Sequence, residues 1–189
     1  MTPKVARQVI EKSNNHSKQT MSNKQVRYEA LVGAYHKDMY RYAYWLTQNS
    51  AIAEDVVQET FLRAWKSLDS LQDEKAAKSW LITILRRENA RRFERKQFEM
   101  AEYEEQHIID NKSTSTEQNI ENYWLRKQIA ALEPEYREPL LMQVIQGFSG
   151  EEIADLLGLN KNTVMTRLFR ARNQLKEALE SKPKNVRLG

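Results

Sequence analysis

The sequence predicts an all-α protein: two small helical domains joined by a flexible linker, the second containing a helix-turn-helix. Three observations carry this expectation. Gly (5) and Pro (4) are scarce in 189 residues, and good helix formers such as Ala, Leu, Glu, Lys, Arg and Gln dominate. Apolar residues recur at helical spacing over residues 27–99 and 118–182. Between them, residues 100–117 are acidic and polar with no apolar period, and a loop of about 18 residues is unusual inside one compact domain.

Composition narrows the function classes. Charged residues reach 30% against 40% hydrophobic, and mean hydropathy is −0.77, which suits small helical units with thin cores and large solvated faces. The absence of cysteine excludes disulfides, thiolate zinc sites and a cysteine nucleophile. The longest apolar stretch, Trp80–Leu85, is broken by Thr83 and is too short to span a bilayer. Residues 1–26 are polar and aperiodic, with basic residues but no apolar core. They are expected to be a disordered extension rather than a signal peptide, with Met21 as an alternative start. A cytoplasmic protein without direct membrane insertion is therefore expected. Net charge is only +4, so the distribution of charge says more than its sum.

In the first domain a helix should run from Arg27 to Thr47. Asn49 or Ser50 then caps a second, whose first turn holds Glu54 and Asp55 as the helix dipole favours. Leu68–Asp73 breaks the pattern, and a third, long helix spans Lys75 to Glu99. The second domain opens with Thr114 and Glu117 at capping-box spacing and a helix to Leu132. Glu133-Pro134 ends it and starts another, through Ile145, in which Pro139 should kink the helix or delay its start. Gly147 stops it, and residues 183–189 form a tail.

The sharpest functional signal follows. Ser149 and Glu152 have capping-box spacing, and Ile153, Ala154, Leu156 and Leu157 give a short helix an inner face. Gly158 supplies the positive φ of a tight turn. Asn160 can cap the next helix, whose inner stripe is Val164, Leu168, Ala171 and Leu175. Helix, glycine turn, helix is the unit that reads duplex DNA. From Lys161 to Lys176 the second helix carries five basic residues (Lys161, Arg167, Arg170, Arg172, Lys176) and no acidic one. Asn162, Thr163 and Thr166 could hydrogen-bond base edges or phosphates. A basic solvated helix is the blander account, and DNA binding is preferred.

Two further stretches matter. On the helix from Ala51 to Leu68, Ala53, Val57, Phe61, Ala64 and Leu68 share one side, and Asp55, Gln58, Glu59, Leu62 and Lys66 the other. The apolar Leu62 among polar neighbours is a small hint of a docking face, while spacing alone favours a plain solvated face. In the long helix, Arg86–Lys96 holds six basic residues against two acidic, a cluster suited to neutralising phosphates. Asn89 and Phe93 lie among them, where they could meet unpaired bases. Two basic helices, one per domain, on a flexible tether would gain from effective concentration along one DNA.

No catalytic constellation is visible, and no cofactor or small-molecule substrate is expected. His16, His36 and His107 are isolated, and Asp69 and Asp73 lack convergent partners. Neither metal-ligand spacing nor a phosphate-cradling glycine loop occurs. An enzyme is not expected.

Three stretches, in order, resemble one family. Glu54-Asp55-Val56-Val57-Gln58-Glu59-Thr60-Phe61-Leu62-Arg63-Ala64-Trp65 resembles region 2.2 of the extracytoplasmic-function sigma factors of bacterial RNA polymerase. Trp80–Arg87 resembles region 2.3 running into 2.4, and Gly147–Ala154 through Arg167–Arg172 resembles region 4.2. The likeness covers residues 27–180, with nothing like region 3 between the domains. It implies a factor that joins core polymerase and directs it to promoters. Asp55, Gln58, Glu59 and Leu62 stand where the family contacts the β′ clamp helices. Leu71, Arg86, Arg87, Asn89, Arg91, Arg92 and Arg95 stand where it unpairs and reads the −10 element. Lys161, Asn162, Thr163, Thr166, Arg167, Phe169 and Arg170 stand where it reads the −35 element. The resemblance also implies an anti-sigma factor, often membrane-bound, that would hold the protein at the inner membrane face.

The sequence departs from the family at Arg87, where many members have Asn, at Met165, where many are basic, and at Leu71, where an aromatic is frequent. Promoter preference therefore does not carry over. The competing binding-class account is a dimeric helix-turn-helix regulator that reads a palindrome without polymerase.

Overall fold

The computed structural model describes the backbone of residues 3–100 and 117–181, and the side chains of residues 23–95 and 124–181. Among the described residues the elements are helical: α1 (Pro3–Thr47), α2 (Ser50–Ser67), α3 (Ala77–Met100), α4 (Glu117–Ala131), α5 (Pro134–Gln146), α6 (Gly150–Leu157) and α7 (Lys161–Glu180). Two short 3-10 turns, Leu68–Ser70 and Glu74–Ala76, join α2 to α3. This is the all-α, two-part layout that the periodicity predicts. The linker residues 101–116, Thr114 of the expected capping box and the tail lie outside the described residues.

Local chemistry accounts for most boundaries. Gln48 takes a φ of 55° to end α1, and its backbone N–H donates to Tyr44 O at 2.8 Å. Asn49 caps α2, its Oδ1 accepting from the Ile52 N–H at 3.0 Å. Because Asn49 is the cap, Glu54 and Asp55 fall in the second turn of α2 rather than the first. Helix α1 starts at Pro3, well before the expected Arg27. Residues 4–26 contain neither Gly nor Pro, so a helix nucleated by the packed segment propagates outward without a breaker. Helix α5 begins at Pro134 and runs on through Pro139, so Pro139 does not delay its start. Pro134 at the first helical position lacks only an N–H that would have had no partner there.

In the first unit α1, α2 and α3 pack on one another. Met39, Tyr42, Val57, Leu81, Ile82 and Leu85 are fully buried between them, each fully buried apolar side chain contributing roughly 1.5–3 kcal/mol. Phe61 is flanked by the rings of Tyr28, at 6.5 Å, and His36, at 5.6 Å. The inner side of α2 is the one the sequence predicts: Ala53, Val57, Phe61 and Ala64 are buried, as is Leu68 beyond its end. In the second unit α7 packs on α5 and α6 through Val164, Leu168 and Ala171, all at 0% exposure.

The two units also pack against each other, chiefly α1 on α5. In this arrangement they are not separate beads on a tether.

Two glycines give opposite expectations for one substitution. Gly158 sits at φ 64°, where a Cβ is strained, so Gly158→Ala should cost about 1–2 kcal/mol. Gly33 lies inside α1 with open space around it, so Gly33→Ala should gain up to about 1 kcal/mol. Urea midpoints should move in opposite directions. A shift of both the same way would contradict this account of the turn.

Candidate DNA and polymerase interfaces

The helix-turn-helix is assembled by its caps. Ser149 Oγ accepts from the Glu152 N–H at 3.3 Å, and Glu152 Oε2 accepts from the Ser149 N–H at 2.8 Å, a complete capping box. The Ser149 backbone contact holds the Glu152 carboxyl below its usual range. The support this gives is present above the ordinary carboxylate range and fades as pH falls through the lowered value. Gly158 turns the chain, and Asn160 Oδ1 receives the Thr163 N–H at 2.7 Å to start α7.

Along α7 the expected residues stand at the surface, with Thr163 and Arg167 half-buried. Their cations are braced by neighbours. Lys161 pairs with Glu151, Arg167 with Glu135 at 3.0 Å, and Arg170 Nη1 donates to Tyr136 Oη at 3.1 Å. Arg172 Nη2 donates to Gln143 Oε1. Phe169 projects with 62% of its surface exposed.

On α2, Asp55, Gln58 and Leu62 are exposed on the outer side, Leu62 at 53%. Glu59 beside them is tied to Arg63 at 3.0 Å. Arg63 in turn approaches Glu88, 3.5 Å away and only 8% exposed, which Arg91 also holds at 2.7 Å. Glu59, Arg63, Glu88 and Arg91 thus form an alternating chain that binds α2 to α3.

The basic half of α3 divides by environment. Arg87, Phe93 and Arg95 are exposed and Arg92 is half-buried. Asn89 Oδ1 is buried without a hydrogen-bond partner among the described residues. Leu71 corrects the sequence expectation. Its side chain is only 6% exposed, because the 3-10 turns swing it into the groove between α1 and α3, where Arg27 Nη2 holds its carbonyl at 3.1 Å. A direct contact from that side chain to DNA is not available here.

Arg86 is the most heavily engaged of the expected DNA contacts. Its Nε reaches Glu138 Oε1 at 2.5 Å and its Nη1 the Leu156 carbonyl at 2.8 Å, both in the second unit. Two more cations of the first unit do the same. Arg41 Nη2 donates to Ile145 O at 2.7 Å and Lys78 Nζ to Gln146 O at 2.5 Å. All three acceptors are last-turn carbonyls of α5 or α6, the negative ends of those helices. The glycine turns leave them free: Gly147 and Phe148 take Gln143 O and Met142 O, and Gly158 and Leu159 take Asp155 O and Ala154 O. Sequence reasoning missed this seam because three of its acceptors are backbone atoms and the fourth, Glu138, lies 52 positions from Arg86.

The seam is not fully satisfied. Tyr42 Oη and Gln146 Oε1 are buried without partners among the described residues. Burial pushes the Tyr42 hydroxyl well above its usual pKa, with Glu138 acting in the same sense and Arg86 opposing.

Among the described residues no three His, Asp or Glu side chains converge as a metal site would need, and no helix is long and apolar enough to cross a membrane. A helix-turn-helix joined to a second unit with an exposed basic helix defines a protein built to meet DNA at two places. The comparisons name the class. Residues 31–99 match the family described as sigma-70 region 2, and residues 123–175 match sigma-70 region 4. The RNA polymerase sigma factor SigV of Bacillus subtilis is 32% identical over 135 residues, 71% of this chain and 80% of that protein. The extracytoplasmic-function sigma factor SigL of Mycobacterium tuberculosis is 33% identical over 159 residues, 80% and 88% of the two chains. The sigma factor RpoE of Bartonella quintana, solved in complex with the anti-sigma factor NepR, matches with TM-score 0.62 and 27% identity over 88% of this chain and 99% of that one. The chain belongs to the extracytoplasmic-function sigma factors. It directs promoter-specific initiation by RNA polymerase, and the account as a polymerase-independent dimeric regulator is set aside.

The seam makes a direct prediction. Glu138→Arg places a guanidinium opposite Arg86, and the two units should separate. Small-angle scattering should give a larger radius of gyration with helicity unchanged. An unchanged radius would mean that the α1–α5 contact holds without the ion pair.

Proposed function

We propose that the three faces divide the work of initiation. The exposed side of α2, with Asp55, Gln58, Leu62 and the braced Glu59, docks the β′ clamp helices. Arg87, Asn89, Arg92 and Arg95 on α3, with Arg86 and Arg91 once released from Glu138 and Glu88, track the unpaired −10 strand. Helix α7 enters the major groove of the −35 duplex through Lys161, Asn162, Thr163, Thr166, Arg167, Phe169 and Arg170. Residues 27–99 and 118–182 act as the two working domains. The observation that carries this reading is the separation of chemistries: an apolar residue ringed by acids and amides on α2, against cations on α3 and α7.

The closed seam bears on the three faces unequally. Leu62 and Phe169 are exposed with the seam shut, whereas Arg86 is committed to Glu138 and Leu156. Polymerase docking can therefore come first, and parting of the units then frees Arg86 for DNA. A solved relative that matches over both units is in complex with an anti-sigma factor. That supports a comparable partner for this chain.

Nuclease footprinting, which reads upstream protection, and permanganate, which reads opening, both with core polymerase on a mapped promoter, test the allocation. Leu62→Glu should abolish both protection and opening, because the holoenzyme does not form. Arg170→Ala should weaken upstream protection, a base-edge contact being worth roughly 1–3 kcal/mol. Arg92→Ala with Arg95→Ala should weaken opening and lower the salt sensitivity of binding while upstream protection persists. Loss of upstream protection in the α3 variant, with normal protection in Arg170→Ala, would overturn the assignment.

A further inference from the structure

The outer face of α7 carries chemistry that its cations do not explain. Lys161, Arg167, Arg170 and Arg172 are each drawn to a neighbouring side chain on α5 or α6. The threonine hydroxyls of the first turns are taken up locally too. Thr163 Oγ1 donates to Asn160 Oδ1 at 2.9 Å, and Thr166 Oγ1 to Asn162 O at 2.9 Å. Two large apolar side chains stand out between them, Met165 at 47% exposure and Phe169 at 62%. They lie four residues apart on a helix, so they are neighbours on one face.

Met165 is also seated. A Cβ on Gly150, the first residue of α6, would lie 3.1 Å from Met165 Sδ. The thioether therefore rests against backbone that lacks a side chain, at the point where α6 and α7 are tied by the Glu151–Lys161 pair. A major groove offers few apolar groups, and the thymine C5 methyl is the one that distinguishes a base pair.

We propose that Met165, held by Gly150 and flanked by Phe169, is a specificity-determining residue that reads thymine methyl groups in the upstream promoter element. This rests on the assignment of α7 to that element and adds the chemistry it selects. Where a basic side chain at this position would seek phosphate or guanine, a thioether gains only by covering carbon. The upstream element of this protein should thus contain a thymine, on either strand, whose methyl is part of the signal.

The test uses the full chain with core polymerase on a promoter located by start-site mapping. Each thymine of the upstream element is replaced in turn by uracil, which removes the methyl group and leaves the hydrogen-bonding edges intact. With the wild-type chain, one or two positions should lose about fourfold in initiation, the value of one buried methyl. Met165→Ala should initiate equally on the thymine and uracil templates. Gly150→Ala keeps the methionine but displaces its sulfur, and should reduce the discrimination without reducing initiation on the uracil template. Wild-type indifference to uracil would overturn the proposal, as would a Met165→Ala defect that leaves the thymine preference intact; the latter would mark the pair as a protein-docking surface. Insensitivity to every change in the upstream duplex would instead remove α7 from DNA reading, and the proposal with it.

Discussion

The arrangement of this protein depends on how two helix ends dispose of their last carbonyls. A helix leaves four C=O groups without internal partners, and α5 and α6 both end in left-handed glycine turns that take up only some of them. Three of the others, Ile145 O, Gln146 O and Leu156 O, face the first unit, where Arg41, Lys78 and Arg86 supply the missing donors. Cations at negative helix ends are favourable in both charge and hydrogen bonding. Gly158, which shapes the helix-turn-helix, and Gly147, which ends α5, therefore also leave the carbonyls that bind the other half of the molecule.

The same seam has the chemistry of an interface that can part. Inter-domain contacts of this polar kind resemble transient interfaces more than cores. The buried Tyr42 hydroxyl and the Gln146 amide oxygen lack partners while the seam is shut, and each would gain water on opening, which offsets part of what the ion pair contributes. Arg86 has two acceptors here, a carboxylate and a carbonyl. A DNA strand offers a third, with a denser run of negative charge. One side chain thus links the closed arrangement to the proposed −10 face, while Leu62 and Phe169, on the two other proposed faces, stay exposed.

The parts of this molecule governed by local rules were legible in the sequence. Capping at Asn49, Ser149 and Asn160, the glycine stops at 147 and 158, and the inner stripe of α7 all depend on neighbours within one turn. The misread parts depend on distant ones. Leu71 sits in a loop of polar residues, and only packing against α1 turns it inward. Two of the six cations in the basic cluster on α3 are less available than its count suggests, because Glu88 takes Arg91 and Glu138, 52 positions away, takes Arg86. The start of α1 was misplaced for another reason: a polar segment gives no apolar period, yet nothing in it breaks a helix. Of the three functional faces, the outer side of α2 was the least distinct, since spacing alone does not separate a docking surface from a solvated one. Exposure of Leu62 supports the first, and family membership gives it a partner class.

On this reading, promoter-directed initiation requires the two units to separate. The chain has no cysteine, so Glu29→Cys and Glu177→Cys, both at exposed positions, allow two spin labels to be attached specifically. Pulsed electron paramagnetic resonance should give one narrow distance for the free protein. With core polymerase and promoter DNA present, that population should be replaced by a longer distance. An unchanged distance in complexes that initiate from the mapped start site would contradict the account.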